Sequence, residues 1–188
     1  MIFCVGTSFR GKLLVATPLI GDPNFERTVV LVLEHNDEGA LGVVLNRPSE
    51  VELLGPLPGW DRFAAHPPVV FVGGPVSREA VIALARVGSD APEGAVTPVV
   101  GPVGALDITR DPDEVGAGVE ALRIFAGYAG WAPGQLEEEI DAGAWFVVEA
   151  LPGDTFDADP ARLWRRVLRR QGGRLAIYAN FPEDPSRN

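Results

Sequence analysis

Gly127-Tyr-Ala-Gly-Trp-Ala-Pro-Gly-Gln-Leu-Glu-Glu-Glu-Ile140 concentrates the chain's unusual residues, and the fold is read outward from it. The apolar run 122–125 just before it predicts a buried strand. Gly127 and Gly130 bracket Tyr128 where ordinary side chains would crowd a neighbouring backbone. The expected order is strand, crossing, then helix. Pro133 suits a first helical position, Glu137, Glu138 and Glu139 fall where the helix dipole favours negative charge, and Leu136 with Ile140 makes an i,i+4 apolar pair. Gly143 supplies the stop.

Length and composition bound the rest. A chain of 188 residues, 46% hydrophobic, can bury a substantial core, and it is read as one domain over 1–188. No apolar run approaches the roughly 20 residues that span a bilayer, and residues 1–10 lack a basic, then apolar, leader pattern. A cytoplasmic protein without membrane attachment is expected. A single cysteine, Cys4, excludes an intrachain disulfide, and with only His35 and His66 beside it neither a metal site nor a cofactor is indicated. The formal net charge is −10, yet six of the sixteen basic residues fall at 162–174, a stretch without acids. The remainder sets ten basic residues against 26 acidic ones, a formal −16 that opposes phosphate backbones and argues against direct DNA binding.

Taken in order, residues 12–16 form a short apolar strand and 21–24 a turn. The runs 28–33 and 40–45 flank Asn36-Asp-Glu-Gly39 and predict a hairpin; neither alternates apolar with polar, so both faces are expected to be covered. Gly42 suggests a bulge or a close backbone approach. Residues 51–66 are turn-rich with room for a short helix, 69–72 is a buried strand, and 81–87 does not separate strand from helix by period. Residues 88–98 are read as loop, 99–108 as one or two strands broken by Gly101-Pro102 and Gly104, and Asp111-Pro112 as the cap of a short helix. Residues 145–148 form a core strand. Asp159-Pro160 then starts an amphipathic helix with Leu163, Trp164, Val167 and Leu168 on one side and Arg162, Arg165, Arg166, Arg169 and Arg170 on the other, closed by Gly172-Gly173.

Several segments carry a resemblance to a known family. Asp22-Pro-Asn-Phe-Glu-Arg-Thr-Val29, Glu34-His35, Gly39-Ala-Leu-Gly-Val-Val-Leu-Asn-Arg-Pro48, Phe71-Val-Gly-Gly-Pro-Val76, Gly127-Tyr-Ala-Gly-Trp131, Gly134-Gln-Leu-Glu137 and Ala144-Trp145 together resemble the AlgH/YqgE family of small bacterial proteins over residues 11–168. The resemblance favours strand for 81–87. It implies an α/β fold in which a strongly bent mixed sheet curls into a pseudo-barrel with flanking helices. Many members end in a Gly-His-Ala tail that this chain lacks, so residues 173–188 form a divergent C-terminal segment. The family name suggests a role in regulating transcription.

The candidate chemistry is sparse. Glu34-His35 offers an acid/base pair, but adjacent strand residues point to opposite faces, so a surface or capping histidine is the plainer expectation. No Gly-x-Ser-x-Gly occurs, and Gly73-Gly74-Pro75 lacks both a phosphate-loop lysine and spaced dinucleotide glycines. Tyr128, Trp131, Gln135 and Glu137 either line a ligand pocket or pack as amphipathic core. The arginine helix either binds an acidic partner, an RNA or a second copy of the chain, or is a solvated face. Because like charges at i,i+4 repel, stability alone is not expected to explain Arg162, Arg165, Arg166 and Arg169, which are read as a water-facing docking surface. The leading expectation is a non-enzymatic regulatory or adaptor protein acting by ligand or protein binding. The alternatives are a small-molecule enzyme with its site between Asn46-Arg47 and residues 127–137, and a direct DNA-binding regulator.

Overall fold

A computed structural model describes residues 7–53, 55 and 57–182; Cys4 and the last six residues of the C-terminal segment lie outside the described residues. The strands are β1 (Lys12–Ala16), β2 (Val29–Asn36), β3 (Gly39–Val44), β4 (Pro48–Glu52), β5 (Val69–Val72), β6 (Val76–Val87), β7 (Val96–Val100), β8 (Val103–Leu106), β9 (Val119–Trp131) and β10 (Trp145–Glu149). The helices are α1 (Pro112–Val115), α2 (Gln135–Asp141), α3 (Leu163–Gln171) and α4 (Gly173–Tyr178). The sheet runs β10-β1-β2-β3-β9-β6-β8-β7, with β4 on β5 and β5 parallel to β9. It is strongly curled, mostly antiparallel, and flanked by helices as a half-barrel, as the family resemblance implied.

The hairpin 28–33 and 40–45 is present as β2 and β3, and it is buried on both faces because two cores share it. Val29, Leu31, Leu33 and Val43 face α3, while Val30, Val32, Ala40 and Val44 pack with Leu136 of α2. The ladder continues to Asn36↔Gly39, so the turn is Asp37-Glu38 and shorter than expected. The bulge lies on β2, between Val32 and Glu34, opposite Gly42. A third core fills the far half of the sheet with Leu53, Trp60, Leu106, Leu122 and Ile124.

The opening stretch is corrected. Residues 127–131 are not a crossing but the end of β9, which pairs with β6 from Val119 as far as Tyr128 and with β3 through Ala129, Gly130 and Trp131. The glycines misled because they resemble breakers. A side chain on Gly127 would stand 2.6 Å from the Gly74 carbonyl oxygen, and its φ is +73°. The missing side chain of Gly73 would stand 2.3 Å from the Gly127 carbonyl oxygen in turn. Two backbones therefore cross in contact, and the positive φ bends β9 where its partners change. Pro133 precedes α2 rather than opening it, since the helix begins at Gln135 after a left-handed Gly134. Gly143 ends it as expected, donating to the Ile140 carbonyl while Ala144 donates to that of Glu139.

Other boundaries shift by pairing. Residues 96–98 belong to β7 rather than a loop, and Gly104 sits inside β8 because it lets the Thr97 backbone approach. Strand β4 was not foreseen: Ser49, Glu50 and Glu52 give it no apolar rhythm, and it pairs with β5 alone. Residues 81–87 are strand, extended back to Val76. Asp111 caps α1 by accepting from the Asp113 amide. The amphipathic helix opens with a short 3-10 turn at Pro160–Arg162 before α3, and it buries Leu163, Trp164, Val167 and Leu168. Each fully buried aliphatic chain there contributes about 1.5–3 kcal/mol.

Candidate functional site

The segment Asp22-Pro-Asn-Phe-Glu-Arg folds into a loop that is held from every side. Asp22 Oδ1 accepts from the Asn24 amide at 2.8 Å, an Asx turn. Phe25 leaves the loop to stack on Trp131 and meet Trp145 edge-on, at centroid distances of 6.4 and 5.6 Å. Arg27 adopts φ +55°, lies over the Trp164 ring at 4.8 Å, and donates through Nη2 to the carbonyls of Phe181 and Pro182. Asn46 stabilises this strained residue. Its Nδ2 donates to the Arg27 carbonyl at 2.9 Å, and its Oδ1 accepts from the Val29 amide at 3.0 Å. Arg47 donates through Nη2 to the Glu26 carbonyl at 2.7 Å.

Between this loop and the Gly73-Gly74-Pro75 turn lies a cleft of about 250 Å³. Pro23, Asn24 and Arg47 form one side, Val72, Gly74, Pro75 and Arg78 the other, with Val44 and Pro48 completing it. Backbone bonds fix its floor: Val44 donates to the Gly73 carbonyl and Val72 to that of Arg47, both at 2.8 Å. Ser77, beside Arg78, has φ +44°. Among the described residues, the non-glycine residues in left-handed backbone are Arg27 and Ser77; Ser77 adjoins Arg78 of the cleft, whereas Arg27 lines a separate hollow with Trp164, Phe181 and Pro182. The described lining contains two guanidinium groups and one amide; its other members are apolar or glycine.

The six candidate ligand residues do not converge. Arg47 lines the cleft, whereas Asn46 spends both ends of its amide inside the fold. Tyr128 packs toward the α3 core and Trp131 toward the α2 core, on opposite faces of β9. Trp131, Gln135 and Glu137 stand at the other end of β3, which pairs Ala40 with Trp131 four residues, about 13 Å, from Val44. There, Glu139 is the hub that sequence reasoning missed. Its Oε2 accepts from Trp131 Nε1 at 2.9 Å and Trp145 Nε1 at 2.8 Å, and its Oε1 accepts from Gln135 Nε2 at 3.0 Å. Gln135 Oε1 accepts from the Ala132 amide, closing the N-terminal turn.

His35 is not a surface histidine: its side chain is only 7% exposed. Nδ1 accepts from the Phe9 amide at 3.0 Å, so the neutral ring carries its proton on Nε2 and donates it to Glu137 Oε1 at 2.9 Å. Phe9 stacks on the ring at 5.0 Å. Glu34, exposed, takes no part in this pair. His35 therefore satisfies a backbone amide from within the fold and pairs with Glu137 rather than with the adjacent Glu34.

The arginine helix is also corrected. Arg170 forms a two-pronged pair with Asp154, Nη1–Oδ1 at 2.5 Å and Nη2–Oδ2 at 2.7 Å, and Asp154 is 7% exposed. Arg166 pairs with Asp157, and Arg162 with Asp159 at 3.4 Å. These acids lie in the loop just before the helix, so three arginines bind the protein's own chain. Arg169 is exposed and Arg165 half-buried.

Arg123 was hidden inside the apolar run of β9. It is 2% exposed, lies over the Phe71 ring at 4.2 Å, and donates through Nη1 to the carbonyls of Thr155 and Asp157 and through Nη2 to that of His66. Burial pushes its pKa down to about 10, which still leaves a cation at neutral pH. An arginine in a core strand was the signal available. Arg78 had none, since no periodicity marks it.

No helix among the described residues is long and apolar enough to cross a membrane. A strongly curled antiparallel sheet forming a half-barrel flanked by helices places the chain in a class of small α/β proteins, and comparison identifies it. The chain belongs to the AlgH-like family, whose profile matches residues 13–176. It is 53% identical over 187 residues to a UPF0301 protein of Streptomyces coelicolor, covering 97% of this chain and 96% of that one. A UPF0301 protein of Mycobacterium tuberculosis is 48% identical, covering 95% and 90%. Among solved structures, a Corynebacterium diphtheriae protein superposes with a TM-score of 0.87 at 32% identity, covering 92% of each chain. The solution structure of AlgH from Pseudomonas aeruginosa gives 0.69 at 31% identity, covering 98% and 100%.

Proposed function

We propose that this protein is a non-enzymatic regulatory or adaptor protein of the cytoplasm that works by binding a ligand in the cleft between Arg47 and Arg78. One observation carries the reading. The cleft gathers the 22–27 loop, Arg47-Pro48 and the Gly74-Pro75 turn around two cations, and no described lining side chain is a nucleophile or a general base. Backbone strain at Ser77, next to Arg78, supports it. The enzymatic alternative loses support because Arg47 and the His35–Glu137 pair stand at opposite ends of β3. Docking of an acidic partner or a second copy on α3 is the lesser reading, since Arg162, Arg166 and Arg170 already hold Asp159, Asp157 and Asp154. Direct DNA binding is opposed by the net charge of −10.

Saturation-transfer NMR on a mixture of small anionic metabolites tests this. The protein should bind a member of the mixture and leave it chemically unchanged over hours. Conversion of that compound, lost on Arg47→Ala, would contradict the non-enzymatic reading.

A further inference from the structure

We propose that the ligand of this cleft is a small dicarboxylate, its two ends held by Arg47 and Arg78 and its carbon chain lying against Val44 and Val72. The inference rests on the cleft being the binding site. Charge is the first support. Two guanidinium groups are the charged members of the described lining, in a chain of formal net charge −10. An extended polyanion would gain two contacts while meeting the repulsion of the whole acidic surface. A small dianion cancels both cleft charges and extends no further.

The donors available are the second support. Pro23, Pro48 and Pro75 all lie in the lining and carry no N–H, so these positions cannot build the nest of backbone amides that cradles a phosphate. Recognition falls to the guanidinium forks. Arg47 is held in place through Nη2, which donates to the Glu26 and Pro23 carbonyls at 2.7 and 3.4 Å, so the guanidinium is positioned before any ligand arrives and offers Nη1 and Nε to a carboxylate oxygen. The planar fork of Arg78 can pair with the two oxygens of a carboxylate through parallel bonds, whereas the additional oxygens of a phosphate call for donors that the prolines withhold. Size is the third. About 250 Å³ lies below the roughly 300–1,000 Å³ common for drug-sized ligands, which favours a short-chain acid over a nucleotide.

Calorimetric titration of the full chain with glutarate, butyrate and inorganic phosphate separates the possibilities. Glutarate should bind, and butyrate, lacking the second carboxylate, should bind about 10- to 100-fold more weakly through the loss of one charge-assisted pair. Arg78→Gln, at an exposed position, should weaken glutarate to about the level of butyrate. Equal affinity for glutarate and butyrate would overturn the dicarboxylate assignment. Phosphate binding tighter than glutarate, and weakened by Arg78→Gln, would overturn it while leaving the cleft as the binding site. Absence of binding by all three anions would overturn both.

Discussion

Arg47 donates to the carbonyl oxygen of Glu26 at 2.7 Å, so the residue that supplies positive charge to the cleft also fastens the loop that walls it. Glu26 contributes only its backbone to this bond. The same loop is pulled outward by Arg27, which binds the carbonyls of Phe181 and Pro182, and is anchored below by Phe25 against Trp131 and Trp145. The divergent C-terminal segment and the α2 signature are therefore both mechanically joined to the cleft.

Asn46→Ala should destabilise the fold by about 1–3 kcal/mol, because it leaves the Val29 amide without its acceptor and the Arg27 carbonyl without its donor. Urea denaturation checks this. An unchanged midpoint would mean that water replaces both bonds and that the strained Arg27 needs no support.

Glu139→Ala strands two buried indole N–H groups and should cost about 2–4 kcal/mol, with tryptophan emission shifted to the red as the α2 end loosens. Glu139→Gln keeps one acceptor and should lose less. Equal losses for the two variants would show that the carboxylate charge, and not its geometry, holds the hub.

How far the sequence could be read follows from the range over which each signal acts. The β2–β3 hairpin was legible because its two apolar runs and its turn are contiguous. Residues 127–131 were misread because the reason for Gly127 is the Gly73-Gly74 backbone, more than fifty residues away, and a strand with two close glycines looks like a break. Arg47 was found through its motif, whereas Arg78 was not, since only folding brings the Gly-Gly-Pro turn to the 22–27 loop. Asn46 was read together with Arg47 as one side of a candidate site; both of its groups prove to be satisfied by backbone. The arginine helix was read as a docking surface, with pairing to residues 154–159 as the competing outcome; helical spacing orders the arginines on their own face, but only the fold of the preceding loop brings Asp154, Asp157 and Asp159 back onto them.

Arg123→Ala should be severely destabilising, by about 3–5 kcal/mol, since it opens a cavity over Phe71 and frees the carbonyls of His66, Thr155 and Asp157. Limited proteolysis should then cut first near residues 154–159. A near-native melting curve would argue that the buried cation costs as much in desolvation as its three bonds return.

Arg170→Gln and Arg162→Gln should differ although both remove a cation from the same helix. The first breaks a two-pronged pair with a buried aspartate and should cost about 1–3 kcal/mol. The second removes an exposed pair and should fall within about 0.5 kcal/mol of the parent. Comparable losses in chemical denaturation would mean that the arginines act as a shared field.

The central claim is that the cleft between Arg47 and Arg78 is where this protein binds. Amide shift mapping during a titration with glutarate tests it directly. The account predicts that perturbations saturate together at Asn24, Val44, Arg47, Val72 and Arg78, and that in Arg78→Gln saturation moves to a concentration about 10- to 100-fold higher while that variant's remaining spectrum stays native. Perturbations centred instead on His35, Trp131, Gln135 and Glu137, with the cleft amides unmoved, would contradict it.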